Sequence, residues 1–167
     1  MALVAAILLV LVLLGFYLSW RATRLDRLHH RVETARAALD AALLRRAAAV
    51  LGLAAADGLD PAVARSLAAA ANSARRAGEG DRELAESELS RTLRGALDGA
   101  EPPDTLVPHL DEVAVAARGV HLARVFHNDA VADTRRARRS RLIRLLRLAG
   151  TAGLPEYFEM DDRPPRR

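Results

Sequence analysis

The sequence predicts an all-α protein in which an N-terminal transmembrane helix continues into an antiparallel four-helix bundle. Hydrophobic residues make up 51% of the 167 residues and aromatic residues only 4%, a composition that favours long helices over strands. Apolar residues recur at intervals of three and four along most of the chain. Loops rich in Gly, Pro and Asp divide this pattern into four segments.

The N-terminal segment, residues 2–18 with the sequence ALVAAILLVLVLLGFYL, is uncharged and almost wholly apolar. Extended to Trp20 it forms about 28 Å of helix, enough to span the hydrocarbon core of a bilayer. Phe16, Tyr17 and Trp20 cluster at one end, as aromatic residues do at a membrane interface. We therefore predict that residues 1–20 are a transmembrane anchor.

A cleaved signal peptide is the alternative interpretation of this segment. Such a peptide has a basic n-region, a shorter apolar run and a cleavage site flanked by small residues. Here Met1 alone precedes the apolar run, and the sequence LSWRATR is a poor cleavage site. The membrane anchor is therefore the favoured interpretation.

The position of arginine around the anchor predicts its orientation. No basic residue precedes the span, and four arginines follow it directly: Arg21, Arg24, Arg27 and Arg31. The positive-inside rule then places the rest of the chain in the cytoplasm. The chain has no Cys, which excludes disulfides, thiolate catalysis and Cys-ligated metal and fits that compartment. The prediction is an integral, single-pass protein of the cell membrane with a cytoplasmic C-terminal bundle.

The first amphipathic helix continues from the anchor without a break. Its apolar residues keep helical spacing from Leu25 to Leu53, and the pattern ends near Ala56. The sequence DGLDPAV then stops it, because Gly58 is a typical helix terminator.

Caps and breakers delimit three further helices. Asp60 is a typical N-cap with Pro61 in the first helical position, and Asp81 follows the break GEGD as the next cap. The predicted bounds are about 61–77, 82–97 and, from a start between 104 and 108, to 149. Short connections between amphipathic helices predict an antiparallel bundle over residues 21–149. The tail, residues 150–167, has too many breakers for a long helix.

Charge is unevenly distributed among these helices. Residues 21–46 and 113–147 carry an excess of arginine, whereas residues 47–112 hold six arginines and twelve acids. In an up-down bundle the first helix leaves the membrane and the fourth returns to it. Both basic segments are therefore predicted to lie near the membrane and the acidic hairpin far from it.

Motifs that would indicate catalysis are absent from the sequence. There is no Gly-rich phosphate loop, no G-x-S-x-G and no H-E-x-x-H motif. His121 and His127 point in different directions on a helix, and the acidic run DRELAESE is interpreted as a solvated helix face. We therefore expect no catalytic residue, cofactor or metal. The alternative is an enzyme with a site between bundle helices, which needs convergent carboxylates or histidines.

The segment RRSRLIRLLR, residues 138–147, has apolar residues on one side and Arg141, Arg144 and Arg147 on the other. It is interpreted either as the charged outer face of a bundle helix or as a contact with anionic lipid. In the second case each Arg contributes about 1 kcal/mol near the membrane surface. Nucleic-acid binding is a third interpretation, but a short stripe without interleaved aromatic residues is a weak signal for it.

The sequences LDAALLRRA, RVFHNDAV and EYFE, together with the N-terminal span, resemble the motifs of the LemA family. The resemblance covers nearly the whole chain, with a poor match over residues 54–117. The matching positions are Asp40, Arg45, Arg46, Arg124, Asn128, Val131, Tyr157 and Phe158. The chain departs from the pattern at His127, where the family usually has Tyr, and at Arg135, where a second Asn is expected. The resemblance implies a helical bundle on a membrane anchor and no enzymatic activity.

Tyr157 and Phe158 stand side by side in the tail. Two interpretations remain open, a disordered chain end or a pair of rings that docks on the bundle. A free tail has no physical need for adjacent aromatic rings.

Arg124 and Asn128 lie one turn apart on the apolar seam of the fourth helix, and buried polar groups need partners. Asp40 lies at about the same height, about 30 Å from the membrane along the first helix. We predict an interhelical cluster of Asp40 with Arg124 or Asn128, extended by Arg45 or Arg46. Its role would be to fix helix register rather than to catalyse.

These patterns predict a membrane-anchored scaffold or interaction module whose protein partner the sequence does not identify. A membrane-surface sensor that binds anionic lipid through the Arg-rich end of the last helix is the second hypothesis. Nucleic acid is not an expected partner, and self-association is compatible with the pattern.

Overall fold

The computed structural model describes residues 1–98, 101–139 and 153–163, except for the side chains at positions 21, 22 and 25. Within these residues the fold is all-α, which confirms the predicted class. The described α-helices are α1 Ala2–Ala54, α2 Pro61–Arg76, α3 Arg82–Leu97 and α4 Val107–Arg138. Short 3-10 turns, Glu79–Asp81 and Asp104–Leu106, lead into α3 and α4.

In the break between α1 and α2, Asp60 caps α2 as predicted, whereas Gly58 lies in the loop beyond Ala55, the C-cap of α1. The Asp60 side chain accepts hydrogen bonds from the N–H groups of Ala62 and Val63 at 2.8 and 3.1 Å. Gly58 adopts a φ of 100°, in the left-handed region that favours glycine. Helix α1 ends at Ala54, two residues before the predicted end, because the chain already turns after this residue.

Helix α3 has the predicted bounds, but Asp81 makes no side-chain cap hydrogen bond. The turn Glu79–Asp81 leads the chain into the helix instead. The described part of α4 ends at Arg138, so the predicted continuation to residue 149 lies outside the described residues.

Consecutive helices run antiparallel. Helix α1 packs against α2 and α4, and α2 packs against α3. Arg31 and Asp133 form an ion pair at 3.0 Å, which places the C-terminal end of α4 beside the N-terminal half of α1. Arg36 reaches Glu79 in the turn before α3 at 2.5 Å. The end of α2 and the start of α3 thus lie near Arg36. Between this level and the candidate membrane span, α1 and α4 form a two-helix stalk.

Two apolar clusters form the core. The cluster farther from the N-terminal segment, called the distal cluster, combines residues of all four helices, including Val50, Leu67, Leu89 and Val113. The proximal cluster is made of α1 and α4 residues and one residue of the tail: Leu39, Ala42, Leu43, Val120 and Phe158. The tail is therefore part of the core, which favours the docked interpretation over the disordered one.

The buried stripe of α4 differs from the predicted seam. Arg124 and Asn128 are half-buried, whereas His127 is only 2% exposed. The stripe passes from Val120 to His127, seven residues or nearly two full turns later, and then to Val131. Arg124 and Asn128, which were predicted to lie on the apolar seam, therefore lie at the edge of the buried stripe.

One helical segment among the described residues, Ala2–Trp20, is long and apolar enough to cross a membrane. None of its residues is buried within the fold. The segment is the N-terminal part of α1, which runs without a break from Ala2 to Ala54.

Candidate functional site

Helices α3 and α4 make no extensive contact with each other, although each packs well on another helix. We call the space between them the α3–α4 seam, with walls formed by residues 83–97 of α3 and 110–135 of α4. The docked tail, residues 153–163, fills one end of this seam. The Arg46 side chain of α1 extends into the seam, where it contacts Ser90 of α3. The seam therefore brings α1, α3, α4 and the tail together.

A buried ion pair between Arg46 and Glu86 links α1 to α3. Their side chains are 3% and 1% exposed, and their charged atoms lie 2.6 Å apart. Arg46 also donates to the Ser90 hydroxyl at 2.9 Å and to the Glu86 carbonyl at 3.1 Å. Because an unpaired buried charge is strongly destabilising, this pair ties α1 to α3 beside the seam.

The cluster predicted around Asp40 has different partners. Asp40 lies 3.8 Å from Arg82 of α3, which in turn lies 3.6 Å from Glu86. Arg124 and Asn128 instead bind the docked tail. Helix α3 supplies the partner of Asp40, and the tail supplies the partners of Arg124 and Asn128.

The acidic run DRELAESE is only in part a solvated face, which corrects the interpretation from the sequence. Glu86 is 1% exposed and Ser87 is 8% exposed. Glu86 precedes Leu89 and Leu93 by three and seven residues, so it lies on the buried stripe of α3. The signal available in the sequence was that Arg46 and Glu86, which have opposite charges, occupy positions on the apolar stripes of α1 and α3.

Side chains of α3 and α4 bind the main chain of the docked tail. The Asn128 amide donates to the Phe158 carbonyl at 3.2 Å and accepts from the Phe158 N–H at 2.9 Å. Ser87 accepts from the Asp161 N–H at 3.1 Å. Asn128 thus pairs with the tail as a neighbouring strand would, with one donor and one acceptor.

The two aromatic rings of the tail have separate roles. Phe158 is 9% exposed and packs in the proximal core cluster. Tyr157 is 39% exposed, and the Arg135 guanidinium lies over its ring at 5.0 Å. Arg135 also donates to the Pro155 carbonyl at 2.7 Å. One ring anchors the tail and the other covers an arginine at the surface.

Two tail aspartates pair with the seam walls. Asp161 accepts hydrogen bonds from Arg94 of α3 at 2.5 and 3.3 Å. Asp162 accepts two from Arg124 of α4 at 2.8 and 3.0 Å and lies 2.8 Å from His121 Nδ1. The tail therefore bridges the helices that do not pack directly on each other.

These contacts stabilise the ionised carboxylates. Hydrogen bonds from Arg163 and Arg94 hold the pKa of Asp161 well below its usual value. Burial alone would raise the pKa of Asp162, but hydrogen bonds from His121 and Arg124 lower it below its usual value. Both aspartates are thus charged in the docked tail at neutral pH.

His127 is buried beside the docked tail. Burial lowers its pKa below 6.5, the nearby Arg36 guanidinium acts in the same direction, and a hydrogen bond with the backbone of Glu156 and the charge of Asp40 oppose it. Its Nδ1 is buried without a hydrogen-bond partner. A pocket of about 170 Å³ lies against it, between α1 and Phe158. Neutral His127 is therefore compatible with docking, and the protonated ring is disfavoured.

The other end of the seam holds a cavity of about 680 Å³. Its walls are mainly apolar, and the docked tail closes one end with Asp162 and Arg163. The principal apolar lining residues are Leu93, Leu97, Leu110, Val113, Ala114, Ala117 and Leu122. The volume lies in the range of small-ligand or side-chain binding clefts.

An exposed apolar stripe on α4 adjoins this cavity. Val115, Leu122 and Phe126 are 59%, 56% and 62% exposed. Their spacing of seven and four residues places them on one helix face, and Leu122 also lines the cavity. Contiguous exposed apolar surface of this kind is typical of interaction sites.

Of the remaining predicted residues, Arg45 is exposed and does not take part in the buried pair. Arg141, Arg144 and Arg147 lie outside the described residues. Arg94, Asp161 and Asp162 were missed by the sequence analysis. An acidic tail beside a strongly basic last helix was the signal that could have suggested their pairing.

No protein-family model, curated protein or solved structure matches this chain.

Replacing Glu86 with Ala should strand the buried Arg46 guanidinium and reduce the free energy of unfolding by about 3–5 kcal/mol. Urea unfolding of the full chain in detergent micelles, followed by circular dichroism, measures this change. The matched control is Glu88→Ala, because Glu88 is 59% exposed and pairs with Arg91 at the surface. That change should cost less than about 1 kcal/mol. Equal unfolding midpoints for the two variants would contradict a structural role for the buried pair.

Docking of the tail should weaken in two steps as the pH falls. The lowered pKa of His127 means that neutral His127 supports docking above pH 6.5, and that this support is lost as pH falls below 6.5. The docked pKa values of Asp161 and Asp162 lie below 3.8, so their support is present above pH 3.8 and lost below it. The hydrogen-exchange protection factor of the Phe158 N–H, measured by NMR, reports docking.

The two steps are separated by a single substitution. His127→Gln should remove the upper step and retain the lower one. His30→Gln is the control, since the His30 side chain is 83% exposed, and it should retain both steps. A wild-type protection factor that is constant between pH 7 and pH 5 would rule out the role of His127.

Proposed function

We propose that this chain is a single-pass, membrane-anchored interaction module that binds a partner protein at the α3–α4 seam. Its candidate span, Ala2–Trp20, belongs to the same continuous helix as the first helix of the bundle and supports anchoring. The arginines that follow the span support a cytoplasmic bundle. The proposal assigns no catalysis to the seam.

The observation that carries this proposal is the open end of the seam. A cavity of about 680 Å³ with leucine and valine walls is left beside an exposed stripe of large apolar side chains on α4. Exposure of both apolar surfaces to water is unfavourable, and a partner that covers them gains the free energy of their burial. The position far from the stalk keeps this surface clear of the membrane.

The resemblance to the LemA family is consistent with the same proposal. Two of the residues that carry it, Arg46 and Asn128, hold the seam and the docked tail. Their contacts are structural, and this supports a binding role for the bundle more than a reaction.

A photo-crosslinking amino acid at Leu122 should give a specific adduct in native membranes, because this side chain lies at the cavity and is 56% exposed. The same amino acid at Ala69, an exposed position of α2, is the control. Adducts are separated by mass and should remain with the membrane after alkaline carbonate washing. Identical adducts at the two positions, or recovery of the chain in the soluble fraction, would overturn the proposal.

A membrane-surface lipid sensor is the second candidate. Antiparallel packing brings the basic C-terminal part of α4, including Arg135 and Arg136, to the same end as the arginines of α1 that follow the span. Anionic lipid would be attracted by both sets, with about 1 kcal/mol per arginine near the surface. Residues 141–147 would extend the set.

Binding of residues 21–167 to liposomes tests this second candidate. The fraction bound should rise when phosphatidylserine is included and fall in 0.5 M salt, which screens surface charge. Substitution of Arg141, Arg144 and Arg147 by Gln should reduce binding, whereas substitution of the distal, exposed Arg65, Arg91 and Arg118 should not. Binding that is independent of anionic lipid would exclude the sensor.

A further inference from the structure

We propose that the α3–α4 seam binds an extended acidic segment of a partner protein, and that the docked tail is an internal competitor for this site. The segment carries an aromatic residue, two aspartates three and four positions later, and aliphatic residues after them. This inference deepens the proposed function by naming the chemistry of the partner. It is carried by the way the seam holds its own tail and by the volume that the tail leaves open.

The wall formed by α3 matches the repeat of an extended chain. Glu83 and Ser87 are four residues apart, which is about 6 Å along a helix. They accept hydrogen bonds from the N–H groups of Glu159 and Asp161, two residues apart, or about 6.6 Å along an extended chain. A helix face with hydrogen-bond acceptors at this interval binds the N–H groups of an extended chain, whatever side chains that chain carries.

The wall formed by α4 has the same property in the opposite direction. Asn128 and Arg135 are seven residues, or about 10.5 Å, apart. They bind the main chain at Phe158 and Pro155, three residues or about 10 Å apart. The tail therefore runs parallel to α3 and antiparallel to α4, and most of its main-chain contacts come from side chains of these two helices.

Three side-chain sites add selectivity to this main-chain binding. The Phe158 ring fills an apolar site in the proximal core. Arg94 binds the carboxylate at position 161, and Arg124 binds the one at position 162. Charge-assisted hydrogen bonds of this kind discriminate an Asp-Asp pair from neutral residues.

The groove continues beyond the part that the tail uses. Asp162 and Arg163 form one end of the cavity of about 680 Å³, and the apolar walls lie beyond them. The sequence after Asp162 is Arg-Pro-Pro-Arg-Arg, which contains no leucine, isoleucine or valine. A partner segment with leucine or valine in those positions buries apolar surface that residues 153–163 of the tail leave exposed, so it displaces the tail.

The rim of the cavity favours the same partner. Arg118 lines the cavity and is exposed, and within the described residues it has no ion-pair partner. His121 lies nearby on the same face of α4. An acidic segment is attracted to this rim and a basic one is repelled.

Three fluorescent peptides test the proposal by anisotropy with the full chain in detergent micelles. The first has the sequence of residues 154–162, LPEYFEMDD. The second adds Leu-Val-Leu to its C-terminus, and the third adds Ser-Ser-Ser. The second peptide should bind at least about tenfold tighter than the other two, because only its added residues fill the apolar cavity.

Two variants of the full chain locate the effect. Phe158→Ala weakens the internal competitor and should tighten binding of all three peptides. Ala117→Trp fills the cavity and should abolish the advantage of the Leu-Val-Leu peptide, whereas Ala69→Trp on the outer side of α2 should leave it unchanged. Helix content by circular dichroism verifies that each variant is folded.

Equal affinities of the Leu-Val-Leu and Ser-Ser-Ser peptides would overturn the proposal, as would failure of every peptide to bind Phe158→Ala. If Leu122 still crosslinks to a partner in membranes after such a result, the interaction module stands and only the chemistry assigned to its partner is wrong. If the crosslink also fails, the proposed function itself is wrong.

Discussion

The buried ion pair between Arg46 and Glu86 is the constraint on which the seam depends. Helices α1 and α3 are not close-packed neighbours, and the long side chain of Arg46 connects them. Once both charges are removed from water, neither can be left alone without a large loss of stability. The pair therefore sets the position of α3 relative to α1, with Ser90 satisfying another guanidinium donor.

The docked tail completes what the helices leave open. Helices α3 and α4 face each other across a gap, and each presents an arginine towards it, Arg94 and Arg124. Two adjacent aspartates of the tail neutralise these arginines, and Phe158 fills the apolar space below. A short segment without secondary structure thus links α3 to α4 in place of a direct helix–helix contact.

The two ends of the molecule have different chemistry. One end carries the apolar N-terminal part of α1, Ala2–Trp20, and arginines of α1 and α4 gather in the adjoining stalk. At the other end the bundle carries an apolar cavity and a stripe of exposed side chains on α4. This separation suits a protein that is held at a surface and presents a binding site away from it.

Local features of the sequence determined the helices and the candidate membrane span. Helical periodicity, the Asp60 cap and the glycine at position 58 act over a few residues, so they were predictable without knowledge of the fold. Docking of Phe158 was one of two open interpretations, because an aromatic pair indicates burial without naming a surface.

The tertiary structure alone decided which charges pair. The sequence placed Asp40, Arg124 and Asn128 at similar heights, but height along a bundle does not specify which helix or tail lies between two side chains. Asp40 is nearer to Arg82, and the tail occupies the space in front of Arg124 and Asn128. In a chain with 25 arginines and 21 acidic residues many pairings satisfy the sequence pattern. Ion pairs form over a few ångströms, so the folded backbone selects among them.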